Sequence, residues 1–325
     1  MATILGIECT AHTFGCGVVK NGKILSNVRD MYTTQKGGII PVDAARHHEK
    51  VAQEIYEKAL GDAKINEENI DAIALSNAPG LAPCLLAGMK FAKSLAKKLK
   101  KKIVPVNHCI AHLEIGRSVG TKDPVMLYVS GANTQVIAYD AGKYRIFGET
   151  LDVGVGNFID NFARYLGLGF PGGPKVEQLA LLSNQYVELP YTVKGMDIAL
   201  SGILTNLKQK VQKGINKEDL CFSMQETVFA MLVEVAERAM AHTGKKELLL
   251  AGGVVCNSRL QEMCRIMCRE RNAKMFVPEK PLLVDNGVMI AYAGEIMFKA
   301  GIKSSLDKID IKPRERTDDV DVKWK

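Results

Sequence analysis

The chain has 325 residues, 47% of them hydrophobic, and a mean hydropathy of −0.01, which describes a folded globular protein long enough for two domains and excludes a disordered one. No uninterrupted apolar run nears the roughly 18 residues a membrane helix needs. The opening MATILGIECTAHTFG carries no basic segment ahead of an apolar one, so neither membrane insertion nor export is expected, and the cytoplasm is the expected location. Lys and Arg outnumber Asp and Glu by 43 to 36, a net charge of +7 that favours a polyanionic partner without naming it.

In chain order, ATILGIEC (2–9) reads as a strand and TAHT as a small polar turn. FGCGVVKNGKILSNVRD then reads as a hairpin turning at Asn21-Gly22, a type I′ signal. IDAIALS (70–76) is a strand, GLAPCLLAGMKFAKSLAKKLK (80–100) a helix, KIVPVN (102–107) a strand and HCIAHLEIGRSVG (108–120) a helix. About 120 residues later the order recurs. PVMLYVS is a strand, GANT the small polar turn, and QVIAYDAGKYRIFGETL a hairpin near Ala141-Gly142. ELLLAGG, SRLQEMCRIMCRER, AKMFVP and DNGVMIAYAGEIMFKAG follow as strand, helix, strand and helix. Extra helical material (158–168, 175–182, 220–243) and an irregular stretch around LPYTVKGMDIALSG lie in the second half.

This duplication predicts mixed α/β lobes with crossover helices. The expected division is a first lobe over 1–122, a second lobe over 123–301 whose last helix is free to pack back on the first, and a tail over 302–325. Two such lobes would face each other across a cleft, and the repeat would set Asp285 of one lobe opposite His108 and His112 of the other.

Only six histidines occur, and two of them stand four apart in VNHCIAHLEIG, which places both on one helix face. The bland alternative is a pair satisfied by backbone carbonyls or water. Against it stand Asn107 as a helix cap, Asp285 at the equivalent helix start, and Tyr128 on the strand leading to the second polar turn. Two His, an Asp and a Tyr suit zinc or iron rather than calcium or magnesium. A zinc peptidase would need Glu directly after the first His, where Cys109 stands. Cys264 and Cys268 are spaced i, i+4 but lack a paired Cys-x-x-Cys, and the eight cysteines are expected to be mostly buried thiols.

Three glycine-rich bends are candidate phosphate cradles. YVSGANTQ offers Ser130 and Asn133 as donors, LLLAGGVVCN places Gly252-Gly253 at a strand-to-helix junction, and GFPGGPKVE places Gly172-Gly173 ahead of Lys175 and Glu177. Each alone is more often a tight turn. Three in a duplicated α/β chain predict nucleotide binding, although neither Walker A nor G-x-G-x-x-G is present.

The combination NHCIAH, LYVSGANTQV, GETLDVGVGNFIDNFARYLGL, FPGGPKVE, LPYTVKGMDIALSG, AGGVVCN and DNGVMIAY resembles the universal tRNA threonylcarbamoyltransferase family, nearly throughout the chain and in order. That family supplies the catalytic subunit of the archaeal and eukaryotic KEOPS complex and is similar to bacterial TsaD. The resemblance implies a duplicated actin-like fold of the sugar-kinase, heat-shock-chaperone and actin superfamily, with two lobes around a nucleotide cleft. It implies a metal-dependent acyltransferase that moves a threonylcarbamoyl group from threonylcarbamoyl-AMP to the adenosine following the anticodon of tRNA.

Carried over by position, the resemblance gives His108, His112, Tyr128 and Asp285 as ligands of one divalent metal ion, iron in first place and zinc in second. It gives Tyr128, Val129, Ser130, Gly131, Ala132, Asp160, Gly173, Glu177 and Asn257 as positions for ATP or threonylcarbamoyl-AMP, with Asn133, Gly172, Gly252 and Gly253 supporting the loops. Implied partners are tRNA and the other KEOPS subunits: a small atypical protein kinase, a dimerising subunit and a regulatory subunit. Lys93 to Lys102 and the tail KIDIKPRERTDDVDVKWK are candidate tRNA contacts. The chain departs from the family pattern at Cys9, Asn77-Ala78, Ala132, Val255-Cys256 and Ser258. Ala132 is strained if its position needs positive φ. The alternatives are a nucleotide-gated scaffold of the same fold with weak or no catalysis, and a sugar-kinase-like phosphotransferase for which no base aspartate is assignable.

Overall fold

The computed structural model describes residues 2–34 and 38–325. The chain opens with β1 (Thr3–Glu8), β2 (Thr13–Lys20), β3 (Lys23–Met31), α1 (Pro41–Ala63), β4 (Ala72–Ala78), α2 (Ala82–Leu99), β5 (Lys102–Asn107) and α3 (His108–Glu114). β6 (Val125–Val129), β7 (Thr134–Asp140), β8 (Lys143–Glu149), α4 (Val155–Tyr165), α5 (Gly173–Ala180), β9 (Val193–Lys194), β10 (Asp197–Ile198) and α6 (Ser201–Gln212) follow. The remainder is α7 (Lys217–Thr243), β11 (Glu247–Ala251), α8 (Ser258–Glu270), β12 (Lys274–Phe276), α9 (Lys280–Leu283) and α10 (Gly287–Lys299).

The described chain divides into two compact units. The first comprises Met1–Ser118, Gly142–Tyr144 and Val284–Lys325, and the second Val119–Ala141 and Arg145–Leu283. In the first, the sheet order is β3-β2-β1-β4-β5, with β1 antiparallel to β2 and parallel to β4. In the second the order is β12-β11-β6-β7-β8, with β6 antiparallel to β7 and parallel to β11. Written from the opposite edge it is the same sheet, so the repeat in the sequence is a repeat in topology. Both hairpins turn with positive φ at two successive residues, Asn21 (51°) and Gly22 (75°), then Ala141 (47°) and Gly142 (83°), the geometry that matches strand twist.

Three helices escape the sequence reading, α1, α6 and the four-residue α9. α1 starts with proline in its first turn, buries Ala44, His48, Ala52, Ile55 and Ala59 at three- and four-residue spacing, and ends at a left-handed Lys64. α6 starts at the last two residues of the stretch read as irregular, Ser201 and Gly202, and runs on through residues given no assignment. Each unit has its own apolar core. Leu5, Ile7, Phe14, Tyr56 and Leu75 are central to the first, and Leu127, Phe158, Phe162, Phe229 and Leu250 to the second.

The last helix packs back on the first lobe, as the expected division left open, and Val284–Lys325 as a whole belongs to the first unit. Close backbone packing explains it. A Cβ on Gly287 would lie 2.4 Å from the Gly17 nitrogen, and one on Gly6 would lie 2.2 Å from the Gly287 carbonyl oxygen. α10 therefore rests directly on β1 and β2, where only glycine fits. The stretch 302–325 is not a separate tail. Ser304 exchanges backbone hydrogen bonds with Ile103 on β5, Ile309 is buried, and the Asn77 side chain donates to the Asp310 carbonyl at 2.9 Å. Among the described residues no helix is long and apolar enough to cross a membrane.

His48 is buried on α1 with its ring 5.5 Å from that of Phe14. Burial, aided by neighbouring His47, pushes its pKa down to about 4. The fold thus prefers neutral His48, whereas the unfolded chain protonates near 6.5. Stability is expected to be full above pH 6.5 and to be lost as pH falls from there toward 4, by up to about 3 kcal/mol. Comparing urea midpoints of wild type and His48→Leu across pH 4.5–7.5 checks this, the variant being expected to show the shallower acid limb.

Candidate functional site

β5 feeds directly into α3, whose first residue is His108. The Asn107 side chain caps the helix by accepting from the Cys109 and Ile110 amides at 3.1 and 3.3 Å. Asn107→Ala is expected to cost about 1 kcal/mol, read as a shift of the urea midpoint. His108 and His112 are both buried, their ring centroids 4.8 Å apart and nearly perpendicular. Asp285 precedes α10, and its Oδ1 lies 3.3 Å from His108 Nε2 and 3.5 Å from His112 Nε2. One ligand atom from each of the three lies within 4.8 Å of the others, the one His/Cys/Asp/Glu cluster of this kind among the described residues.

The electrostatics are those of a tight acid–imidazole group. Burial would push the Asp285 carboxyl up, but the two imidazoles outweigh it and hold the carboxyl well below the usual carboxylate range. Burial pushes the His112 imidazole down, with Asp285 partly offsetting it. Two nitrogens and one carboxylate oxygen around a common point form a donor set suited to non-haem iron or zinc. The sequence reading set Asp285 in the lobe opposite the histidines. Instead all three belong to the first unit, because α10 is packed on β1 and β2. Tyr128 is buried on β6 of the second unit, paired with Gln135 on one side and Ala251 on the other.

The remaining candidates form a connected ring within the second unit. Ser130 and Asn133 close a tight turn, the Asn133 amide donating to Ser130 Oγ at 3.1 Å and the Ser130 amide to the Asn133 carbonyl at 2.8 Å. α4 lacks a side-chain cap, and its Gly156 and Asn157 amides instead donate to the Ser130 and Gly131 carbonyls. Ala132 is not among the residues with positive φ, so the strain conditionally expected there does not arise. Gly252, at φ 95°, lies so near Val129 that a Cβ would be 2.3 Å from its carbonyl oxygen. Gly253 opens the short 3-10 turn that follows.

Asp160 on α4 accepts from the Gly172 amide at 2.8 Å, just ahead of Gly173 at the start of α5. Glu177 on α5 accepts from the Ser258 amide and hydroxyl at 2.8 and 2.6 Å. Asn257 caps α8 by accepting from Arg259 and Leu260, while its amide donates to Gln225. Asp160, Glu177 and Asn257 thus tie three loops together in addition to any ligand role.

Cys264 and Cys268 are free, buried thiols in the second core and belong to no metal cluster among the described residues. Lys97 and Lys98 occupy the last turn of α2, and Lys98 pairs with Glu67 at 2.8 Å.

Two of the buried acids, Glu8 and Glu114, carry no site role in the sequence reading. Glu8, at the end of β1, is 2.9 Å from His108 Nδ1 and accepts from Thr10. Glu114, two residues beyond His112, gathers donors from Tyr144, from Trp324 Nε1 at 2.7 Å and from Arg117 at 2.5 Å. A lone acid closing the apolar strand TILGIE was the available signal for Glu8. For Glu114 the local signal was Arg117 three residues on, whereas Tyr144 and Trp324 are remote in the chain.

The family profile described as tRNA N6-adenosine threonylcarbamoyltransferase matches residues 23–292. A tRNA N6-adenosine threonylcarbamoyltransferase of Thermococcus sibiricus is 54% identical over 98% of this chain and 99% of its own length. A probable bifunctional tRNA threonylcarbamoyladenosine biosynthesis protein of Methanosarcina mazei is 51% identical over 99% of this chain, which spans 59% of that longer protein. Among solved structures, T. kodakarensis HypF superposes with a TM-score of 0.68 at 16% identity, over 93% of this chain and 48% of HypF. The activator of the 2-hydroxyisocaproyl-CoA dehydratase from Clostridium difficile does so with a TM-score of 0.54 at 13% identity, over 93% and 99%. These two likenesses speak to fold alone and agree with the duplicated, actin-like α/β topology. Over nearly its whole length the chain is thus a member of the tRNA N6-adenosine threonylcarbamoyltransferase family.

Proposed function

We propose that this chain is a tRNA N6-adenosine threonylcarbamoyltransferase that takes threonylcarbamoyl-AMP as donor and modifies the adenosine following the anticodon. In that reaction the exocyclic amine attacks the carbamoyl carbon, the bond from that carbon to the phosphate oxygen breaks, AMP departs, and the amine loses a proton. The observation that carries this reading, within a chain of this family, is the cluster of buried His108 and His112 with partly buried Asp285. A scaffold subunit has no use for two imidazoles and an acid held about 3.3–3.5 Å apart.

His108, His112 and Asp285, with Tyr128 as the fourth ligand by family resemblance, would hold one divalent ion, iron before zinc. Such an ion supplies Lewis-acid stabilisation of charge developing on donor oxygens. The donor's AMP portion is assigned to the ring of loops in the second unit: Tyr128 to Ala132, Gly173 and Asn257 against the phosphate and base, and Asp160 and Glu177 toward ribose hydroxyls. ATP in the same place is the second assignment. The target adenine must be unstacked to expose its amine. Lys93 to Lys102, at the end of α2, offers positive charge for the tRNA backbone. The working assembly is KEOPS, with a small atypical kinase, a dimerising subunit and a regulatory subunit, acting in the cytoplasm.

The test is reconstitution. The chain is combined with those partners, an adenylate-forming enzyme, threonine, bicarbonate, ATP and tRNA, and nucleosides are analysed by mass spectrometry. Threonylcarbamoyladenosine that appears only when the chain is present supports the reading. Partner assembly without any modified nucleoside would favour the scaffold.

A further inference from the structure

The geometry points to Glu8, seated by Thr10, as the positioning residue of His108; the inference rests on the metal reading above. Glu8 is fully buried at the end of β1, and no Lys or Arg is among its recorded partners. Its Oε1 accepts from the Thr10 amide at 2.7 Å and the Thr10 hydroxyl at 2.5 Å, which fixes the plane of the carboxylate. Its Oε2 then meets His108 Nδ1 at 2.9 Å, with Thr10 Oγ1 a further 3.2 Å neighbour of the same nitrogen.

A carboxylate oxygen can only accept, so this contact requires a hydrogen on Nδ1. That hydrogen leaves the Nε2 lone pair to serve as donor, and Nε2 is the atom 3.3 Å from Asp285. The negative partner also makes Nε2 a stronger donor, as carboxylates behind metal-bound imidazoles do. Glu8 contributes no ligand atom itself, since it reaches the site only through the ring. β1 thereby sets the aim of a side chain carried by α3.

The experiment uses the full chain stripped of metal and reloaded with Co²⁺ or Zn²⁺ under competition from a chromophoric chelator. Absorbance of the Co²⁺ form and the melting temperature of the metal-free form are recorded in parallel. Glu8→Gln keeps the shape but removes the charge and exchanges one accepting oxygen for a donating amide that favours the other His108 tautomer, and is expected to weaken Co²⁺ and Zn²⁺ binding by about 10- to 100-fold, to alter the Co²⁺ spectrum, and to leave metal-free melting near wild type. Thr10→Val should weaken binding in the same direction, while Thr10→Ser should restore it. Wild-type affinity in Glu8→Gln, to within about threefold, overturns the inference, as does equal affinity of the two Thr10 variants should Glu8→Gln fail to fold. If His108→Ala and His112→Ala bind as tightly as wild type, the metal reading itself falls and takes this one with it, an outcome distinct from the other two.

Discussion

Replacing His108 or Asp285 by alanine is expected to lower threonylcarbamoyladenosine formation by about 10²- to 10³-fold, the equivalent of roughly 3–4 kcal/mol at 1.4 kcal/mol per factor of ten. The size follows from the arrangement. Three ligand atoms lie within 4.8 Å of one another, so loss of any one leaves an incomplete set that no longer holds an ion firmly. Bound metal measured after gel filtration should fall with the activity. The melting temperature of the metal-free protein should also fall for His108→Ala, because deleting the imidazole leaves the buried Glu8 carboxylate without its Nδ1 partner, so bound metal is read per folded protein. Turnover at the wild-type rate with either variant would remove the cluster from the reaction.

The second large effect is structural. Gly287→Ala would place a methyl group 2.4 Å from the Gly17 nitrogen and 2.5 Å from the Cys16 carbonyl carbon, and neither backbone atom can withdraw without breaking the β1–β2 pairing. Overpacking at a backbone–backbone contact is expected to cost at least about 3 kcal/mol, the upper end of its usual range. Because Asp285 lies two residues ahead of that contact, metal affinity should fall together with the urea midpoint. Gly202→Ala is the matched control: it stands in α6 with open space around it and ordinary φ, and should be neutral or stabilising by about 0.5–1 kcal/mol. Equal effects at both glycines would contradict the packing account of α10.

Much of the architecture was legible because the signals were local. The Asn21-Gly22 and Ala141-Gly142 turns, the two strand–turn–hairpin openings and the β–α–β pairs behind them could each be read within a few tens of residues. α1 goes unread because no twin marks it: at the equivalent place the second half carries α4 to α7 instead. The unit to which α10 belongs depended on Gly6, Gly17 and Gly287 meeting across long chain separations, which no periodicity records.

The site divides in the same way. His108 and His112 could be paired from their spacing alone, since a helix fixes their common face. Asp285 was set opposite the histidines by the repeat, whereas the packing of α10 on β1 and β2 brings it into their unit. The hydrogen bonds of Asp160 to Gly172 and of Glu177 to Ser258 join elements whose approach is a tertiary fact, so their bracing role lay beyond the sequence.

The convergence on Glu114 has a temporal consequence. During synthesis, a chain that has emerged only through β12 already carries both imidazoles, yet it has neither Asp285 nor the indole of Trp324 that reaches Glu114. The helix bearing the imidazoles therefore settles only once residues 284–325 have followed, well after its own emergence.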